Sequence, residues 1–300
     1  MALPPHDSRL ATHDSPRRLR LLVAYDGTDF YGAQVQTGLR TVGGALEAAL
    51  ARITGEAVRV TFAGRTDRGV HAAGQVAHCD LATALPDERL WRALNGVLPR
   101  DLAVLRCETA PPAFHARYGA RWREYRYQVW NSPVRLPSLA RTAWHLTSPL
   151  DLVALNGAMA VLLGAHDFAA FAGQGLGGGR PQGRSTVRTL LRADWAAVPP
   201  DAPGLPGRLV ELHIRANAFL PQMVRTIVGA AAEVGWGRRD GAWLAWCLRE
   251  GRRANVPAPA PPQGLTLWRV EYDGAADERL SVVGAAHDAA ADSVASDTDD

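Results

Sequence analysis

The sequence predicts an α+β fold with a mainly antiparallel sheet, and three observations support this. Runs of alternating apolar and polar residues, typical of strands, recur along the chain. Stretches with helical periodicity separate them, and the compact βαβ units of a parallel sheet are absent. The length of 300 residues allows about two domains. A hydrophobic content of 47% is enough to bury a core.

The first strand and helix have clear signals. Leu19, Leu21 and Val23 alternate into a strand. The helix that follows can be capped by Thr41 and ended by Gly55. Four further elements are expected before the middle of the chain: a strand near Gln75 to Leu81, a helix near Asp87 to Leu98 behind Pro86, a strand through Val104, and a β-rich run from Tyr118 to Trp130.

The rest of the chain repeats this order of elements. It predicts a helix near Leu152 to Leu163, strands near Val187 to Val198 and Leu209 to Ala216, helices near Pro221 to Val234 and Trp243 to Arg249, and a last strand at Leu265 to Tyr272 after a proline-rich linker, Pro257 to Pro262. We therefore expect two similar halves, residues 18 to 115 and 116 to 273. A polar leader at 1 to 17 and an acidic tail at 274 to 300, both expected to be disordered, would flank them.

The most informative segment is a glycine-bounded turn that runs from Gly64 to Gly69. It places the carboxylate of Asp67 between the guanidinium groups of Arg65 and Arg68. Strand-like alternation precedes the turn and a second β-prone run follows it, so we interpret it as a loop between two strands, where catalytic groups are often displayed. The alternative is a plain Asx-turn with solvated arginines. Turn chemistry alone leaves both interpretations open.

The charge is distributed unevenly along the chain. The formal net charge is +3, but residues 274 to 300 carry seven acids against one arginine, which leaves +9 for residues 1 to 273. This body suits a polyanionic partner such as a nucleic acid. No lysine occurs, so a P-loop phosphate site and Schiff-base chemistry are both excluded. The arginines can form bidentate hydrogen bonds with phosphate and can stack on bases.

Other common functional classes lack their signals. Cys79, Cys107 and Cys247 are far apart and form no C-x-x-C pair, so we expect buried, inert thiols and no disulfide framework or zinc site. Hydrolase and metalloprotease motifs are also missing. No apolar run approaches about 18 residues, and no signal peptide opens the chain. We expect a cytoplasmic protein that binds no membrane and no metal.

Five segments together resemble the TruA-type tRNA pseudouridine synthase family. They lie in the order of that family and cover roughly residues 18 to 273. The segments are Tyr25 to Gly32, Ala63 to Ala72, Phe114 to Arg117 with Tyr125 to Tyr127, Asp167 to Phe171, and Ala216 to Phe219 leading through Met223 and Arg225 to Gly229. The chain departs from the family at Ala33, where a bulky aromatic is usual, and at Pro221-Gln222, where some relatives have basic or aromatic residues.

This resemblance implies a fold and an activity. The two halves would face each other across a basic cleft. The enzyme would convert uridine to pseudouridine at positions 38, 39 and 40 of the tRNA anticodon stem-loop, as a homodimer and without metal or organic cofactor. One tRNA would contact both subunits. A non-catalytic RNA-binding protein of the same fold is the competing class, and a related synthase with another RNA target is a lesser alternative.

The resemblance also assigns roles in catalysis. Asp67 would be the nucleophile, at the uracil ring or at C1′, or would assist glycosyl elimination. Arg65 would orient that carboxylate and fill the space left by the flipped nucleotide. Tyr125 would stack on the target base, and it is a candidate to accept the C5 proton. An ordinary aromatic residue in a sheet is the alternative for Tyr125.

A second set of residues would contact the substrate around this centre. It comprises Arg68, His71, His115, Arg117, Phe219 and Arg225, together with Tyr125. Arg225 can also pair with Asp67. Alternatives stay open for several members: His115 and Arg117 either contact RNA or order the entry to a strand, and the helical spacing of Phe219 with Met223 and Ile227 favours core packing. Asp167 and Phe168 are expected to cap and pack a turn.

A glycine-rich segment from Gly173 to Gly178 fits the dinucleotide-binding pattern G-x-G-x-x-G. It does not open a helix, so we interpret it as a loop rather than a cofactor site. A plain linker and a lid over RNA, for which Arg180 and Arg184 would be suitable, are both open.

Overall fold

The computed structural model describes residues 15–173, 185–198 and 204–273. Within them lie ten strands: β1 (Arg17–Tyr25), β2 (Thr61–Phe62), β3 (His71–Leu81), β4 (Leu102–Thr109), β5 (Ala120–Asn131), β6 (Trp144–Leu146), β7 (Gly164–Asp167), β8 (Val187–Val198), β9 (Arg208–Ala216) and β10 (Leu265–Tyr272). The α-helices in this part of the chain are α1 (Val42–Thr54), α2 (Asp87–Val97), α3 (Leu152–Ala160), α4 (Met223–Gly235) and α5 (Gly241–Glu250). The predicted α+β class is confirmed.

All ten strands join in one sheet with the order β4-β1-β3-β10-β5-β9-β8-β7, to which β2 and β6 add at β3 and β5. The pairing is antiparallel except between β10 and β3 and between β5 and β6. The last strand therefore lies between strands of the first half and of the second half. It joins them into a single sheet, because its backbone pairs with β3 on one side and with β5 on the other.

The expected core pattern is present in the first half. Leu19, Leu21 and Val23 are fully buried on one face of β1. Helix α1 begins where Thr41 accepts a hydrogen bond from the backbone N–H of Gly44. It ends at Gly55, whose φ of 76° is the left-handed conformation that favours glycine. Both predicted caps are therefore confirmed, and they set the two ends of the helix.

Helix α4 is the central helix of the second half. Met223 and Ile227 are fully buried, as their helical spacing predicted. The backbone carbonyl of Arg225, on the same helix, accepts a hydrogen bond from the N–H of Ala260 in the segment before β10. The first turn of α4 is thus hydrogen-bonded to the segment that leads into β10. The predicted turn at Asp167 is also present, where the Asp167 carboxylate accepts the N–H of Ala169 and Phe168 is fully buried.

Some boundaries differ from the sequence-based expectation. Strand β3 begins at His71 rather than near Gln75, since its first residues pair with β10, which is remote in sequence. Strand β1 begins at Arg17, inside the predicted leader. Strands β6 and β7 were not predicted, because three or four residues carry too short a pattern. Most of the glycine-rich segment, with Arg180 and Arg184, lies outside the described residues, as do the acidic tail and residues 1–14.

The described residues contain neither a membrane-spanning helix nor a metal-binding cluster. None of their helices combines the length and apolar character needed to cross a membrane. No group of three or more His, Cys, Asp or Glu side chains in the same ranges could hold a metal ion. The three cysteines are free and buried, as expected. Burial raises the pKa of the Cys79 and Cys107 thiols to about 12, which keeps them protonated and unreactive.

Candidate active site

The Asp67 loop is fixed by backbone hydrogen bonds on both sides. Ala63 donates its N–H to the carbonyl of Val76 in β3 at 2.7 Å, and the N–H of Ala33 donates to the carbonyl of Thr66 at 3.1 Å. Gly32 allows this second approach, because a Cβ at that position would lie 2.7 Å from the Thr66 carbonyl oxygen. The strand and the Gly32 turn thus hold Asp67 at a defined place.

Two buried polar side chains hold the loop from beneath. The side-chain amide of Gln75 donates to the Gly64 carbonyl at 2.8 Å, and its oxygen accepts the Gly64 N–H at 3.4 Å. The Tyr25 hydroxyl is 2.8 Å from Oγ1 of Thr66. Burial raises the pKa of Tyr25 to about 12, so this hydroxyl stays neutral. Neither residue was predicted as part of the site, although a glutamine among the apolar residues of β3 was a usable signal.

The predicted ion pair between Asp67 and Arg225 is present. Nη1 of Arg225 lies 3.3 Å from Oδ2 of Asp67, and the exposed fractions of the two side chains are 14% and 36%. Nε of the same guanidinium donates to the Ala260 carbonyl at 2.7 Å. Arg225 is therefore held in place and orients the carboxylate, which stays accessible on its other side.

Asp67 lies between two adjoining cavities, of about 490 Å³ and about 740 Å³. Both are lined by Asp67, Arg65 and Thr66, together with Gln34 and Gln222. The smaller cavity adds Tyr31, Arg68 and Arg225 among its lining residues. The larger adds Arg117, Arg123, Tyr125, Arg188 and Phe219 among others. One carboxylate is thus accessible from two sides in a site large enough for a nucleotide.

Tyr125 forms part of the wall of the larger cavity. Its ring contacts Phe219 edge to face, with centroids 5.1 Å apart, and a Cβ at Gly64 would lie 3.6 Å from its hydroxyl. Burial raises the pKa of Tyr125, and the negative charge of Asp67 contributes in the same direction. The group is therefore a neutral phenol at neutral pH. Phe219, for which core packing was the favoured alternative, packs on Tyr125 and also lines the cavity.

Arg123 is a site residue that the sequence analysis missed. It is 7% exposed and donates four hydrogen bonds to backbone carbonyls, those of Ala63, Arg117, Ala120 and Asn217. One guanidinium therefore links the start of the Asp67 loop, the entry to β5 and the end of β9. Burial lowers its pKa. Its position two residues before Tyr125, on the same face of a strand, was the available signal.

The two cavities carry an excess of positive charge. Seven arginines and two carboxylates, Asp67 and Glu47, line them. Arg65 is exposed and forms no ion pair or hydrogen bond with any described residue. The guanidinium of Arg68 stacks on the Tyr31 ring at 4.3 Å from its centroid. Such a site attracts an anionic ligand and leaves Arg65 available to contact it.

Not every predicted residue reaches the cavities. Arg117 and Arg68 line them, but His71 and His115 do not. His71 is buried, and its Nδ1 accepts the backbone N–H of Gly27 at 3.0 Å. Nδ1 of His115 accepts the N–H groups of Arg117 and Tyr118, so this histidine orders the entry to β5.

The two departures from the family pattern lie in different environments. Ala33 is fully buried, so it contacts the loop and not the cavities. Gln222 lines both cavities, and its φ of 58° makes it the sole non-glycine residue with positive φ in the described ranges.

Comparisons with known proteins identify the family of this chain. The family model described as tRNA pseudouridine synthase matches residues 21–119 and 158–273. Three proteins named tRNA pseudouridine synthase A are similar to the chain. That from Chloroflexus aurantiacus is 44% identical over 85% of this chain and 89% of its own. That from Roseiflexus castenholzii is 45% identical over 89% and 97%, and that from Neisseria gonorrhoeae is 41% identical over 86% and 93%. The chain therefore belongs to the tRNA pseudouridine synthase family, enzymes that isomerise uridine in tRNA.

Proposed function

We propose that this enzyme forms pseudouridine at positions 38, 39 and 40 of the tRNA anticodon stem-loop, with Asp67 as its nucleophile. The observation that carries the proposal is the place of Asp67, which is held by Arg225 in an arginine-lined cavity whose wall includes Tyr125. A flipped nucleotide brings a negative phosphate and a planar base. The arginines suit the phosphate, and the aromatic wall suits the base.

Arg65 has a separate role at this site. It is exposed, lines both cavities and has no partner among the described side chains. A uridine stacked in a stem or loop hides its ring, so it must leave the stack before Asp67 can reach it. The guanidinium of Arg65 is placed to contact the RNA at the opening and to fill the space that the uridine leaves.

The reaction is an isomerisation and needs no co-reactant. The N1–C1′ bond breaks, the uracil turns within the cavity, and C5 bonds to C1′. C5 loses its proton and N1 gains one, so atoms and charge balance. Asp67 begins this sequence by attack on the ring or on C1′, or by assisting elimination at the sugar. Arg225 stabilises its negative charge through Oδ2, and the Asp67 side chain keeps an exposed fraction of 36%.

Tyr125 serves the later steps. It stacks on the turning base. Burial keeps it a neutral phenol, so it accepts the C5 proton while it passes its own proton to N1. Arg123 holds the strand that carries it. No step in this scheme requires a metal or an organic cofactor.

We also propose a cytoplasmic homodimer, in each subunit of which the two halves of the chain face each other across a basic cleft around Asp67. The face of β5 opposite the cavities supports the dimer, since the partly exposed ring of Trp122 lies there with the guanidinium of Arg215 over it, 4.1 Å from the ring centroid. One tRNA would then contact both subunits. Sedimentation equilibrium should give twice the monomer mass, and a monomer at micromolar concentration would refute this part. Cell fractionation tests the location.

The enzymatic test follows the hydrogen at C5. Unmodified tRNA transcript with tritium at uracil C5 should release it on incubation with the enzyme, since C5 must lose hydrogen to bond C1′. Asp67→Asn should abolish release and leave tRNA affinity within a few-fold. Transcripts with cytidine at position 38, 39 or 40 in turn should show which positions react.

Three outcomes would contradict the proposal in different ways. Full turnover of Asp67→Asn would remove this residue as the nucleophile. Tight binding without release from several tRNAs would indicate a non-catalytic binding protein or another RNA target. Equal loss of binding and turnover in Asp67→Asn would give this carboxylate a structural role.

A further inference from the structure

We propose that Tyr118 is a stacking platform for an unpaired nucleobase of the bound RNA, at the rim of the larger cavity. This inference rests on the proposed function, because it concerns how the same site holds its substrate. Tyr118 is 79% exposed, the most exposed of the large aromatic side chains in the described ranges. Its neighbour Arg117 lines the cavity that holds Asp67 and Tyr125.

Tyr118 is the outer end of a row of ring contacts that begins in the core. Its ring lies 4.5 Å from that of His115, which lies 4.7 Å from that of His78. The row continues inward through Phe114 to Tyr272. In the described ranges the Tyr118 ring contacts one other ring, that of His115, and the residue is 79% exposed. A nucleobase placed there would extend the row by one ring.

The platform is held rigidly by its backbone. Nδ1 of His115 accepts the N–H groups of Arg117 and Tyr118, each at 3.2 Å. The buried guanidinium of Arg123 donates to the carbonyl of Arg117 at 2.5 Å. A ring presented on such a turn loses little further entropy when it binds a ligand, which favours a binding role over that of an incidental surface residue.

The surroundings select the class of ligand. The Arg117 guanidinium lies over the Tyr118 ring, 5.6 Å from its centroid. A positive charge that can bind an RNA phosphate therefore lies close to a ring on which a base can stack. A base inside a duplex presents no free face, so the partner must be an unpaired nucleotide near the flipped uridine. Every base has a π-face, and the contact would therefore tolerate different tRNA sequences.

The test compares two kinds of substitution in the full-length enzyme. With a labelled, unmodified anticodon stem-loop as probe, Tyr118→Ala should raise Kd by about 5- to 150-fold. The Kd of Tyr118→Phe should stay within about two-fold of the starting value.

The dependence of binding on salt gives a second test. The slope of log K against log salt should not change in Tyr118→Ala, since no charge is lost, whereas Arg117→Ala should reduce it by about one. Trp246→Ala on α5, which removes an aromatic of 39% exposure, is the matched control and should leave Kd unchanged.

Measurements of turnover distinguish a failure of the Tyr118 proposal from a failure of the proposed function. Tritium release by Tyr118→Ala should show a raised KM and a kcat close to that of the unsubstituted enzyme at saturating RNA. An unchanged Kd in Tyr118→Ala, with the unsubstituted enzyme active, would overturn the platform alone. Inactivity of the unsubstituted enzyme would overturn the proposed function instead.

Single 4-thiouridine substitutions in the stem-loop should give a cross-link to Tyr118 from an unpaired position. Cross-links from paired positions alone would also refute the platform.

Discussion

The two faces of strand β5 carry the same kinds of residue in opposite electrostatic arrangements. On the cavity face, Arg123 and Tyr125 belong to a surface whose arginines outnumber its carboxylates. On the opposite face, Arg126 pairs with Glu211 at 3.3 Å and Glu124 pairs with Arg215 at 2.5 Å.

In this arginine-rich protein, functional arginines differ from structural ones in whether a carboxylate or an aromatic ring already pairs with them. An arginine on the opposite face has a carboxylate or an indole as its partner, as Arg126 does on Trp268 at 3.8 Å from the ring centroid. Such a pair stabilises the sheet and is nearly neutral to its surroundings. The cavity face keeps its positive charge in excess, which stabilises only a bound anion.

The largest expected effect is on the cavity face. Tyr125→Phe should lower kcat about 10²- to 10⁴-fold, because it removes the proton acceptor and keeps the ring. Melting temperature and RNA affinity should stay nearly constant, since the Phe219 contact remains. Tritium release, thermal unfolding and binding of the stem-loop measure these three quantities. A kcat within a few-fold of the starting value would restrict Tyr125 to stacking.

The next effect tests the opposite face through stability. Arg126→Ala should lower the free energy of unfolding by about 3 kcal/mol, since it removes one partner of a buried ion pair. The folded fraction should keep its kcat. Arg92→Ala, which breaks an exposed pair with Glu88 on α2, is the control and should cost about 0.5 kcal/mol or less. Denaturant titration measures both, and equal losses would refute the contrast between the faces.

Arg65→Ala should have a smaller effect, on binding and on turnover. The loss of one unpaired guanidinium should weaken stem-loop binding about tenfold and reduce the slope of log K against log salt by about one. Arg215→Ala on the opposite face removes the same charge from a paired site and should change the slope by much less. Full turnover in Arg65→Ala would remove this residue from the mechanism.

The smallest effect is the acid sensitivity of the opposite face. Burial acts to raise the pKa of Glu211, but hydrogen bonds from His213 and Gln128 and the charges of His213 and Arg126 outweigh it, so the pKa is lowered from 4.5. A lowered folded-state pKa gives stability that is present above pH 4.5 and is lost as the pH falls through the folded value.

Glu211→Gln should therefore flatten the dependence of unfolding free energy on pH below pH 4.5 by at most about 1.4 kcal/mol per pH unit. Glu88→Gln, at an exposed pair, is the control and should flatten it less. Denaturant titrations at several acidic pH values would show the difference. Identical curves for the two variants would mean that Glu211 is not a source of acid sensitivity.

Local pattern was sufficient for most of the fold, whereas the interpretation of the Asp67 loop as a catalytic centre also needed the family resemblance. The caps at Thr41 and Gly55, the buried positions of α4 and the last strand were predictable, because each depends on residues a few positions apart. The Asp67 loop was also recognisable, since its glycines and charges are contiguous. Short strands and the first residues of β3 were not, because distant backbone partners define them.

The amino-acid pattern was enough to predict the class of fold, the excess of arginine and the loop that carries the carboxylate of Asp67. Which charges face the cavities depended on the packing of the chain, because alternation along a strand assigns two faces without saying what covers either. The pairing of Arg225 with Asp67, 158 residues away, was expected only through the family resemblance, and the position of Arg123 against four carbonyls of separate segments was not expected. Such partners are set by the packing of the whole chain, and no local pattern encodes them.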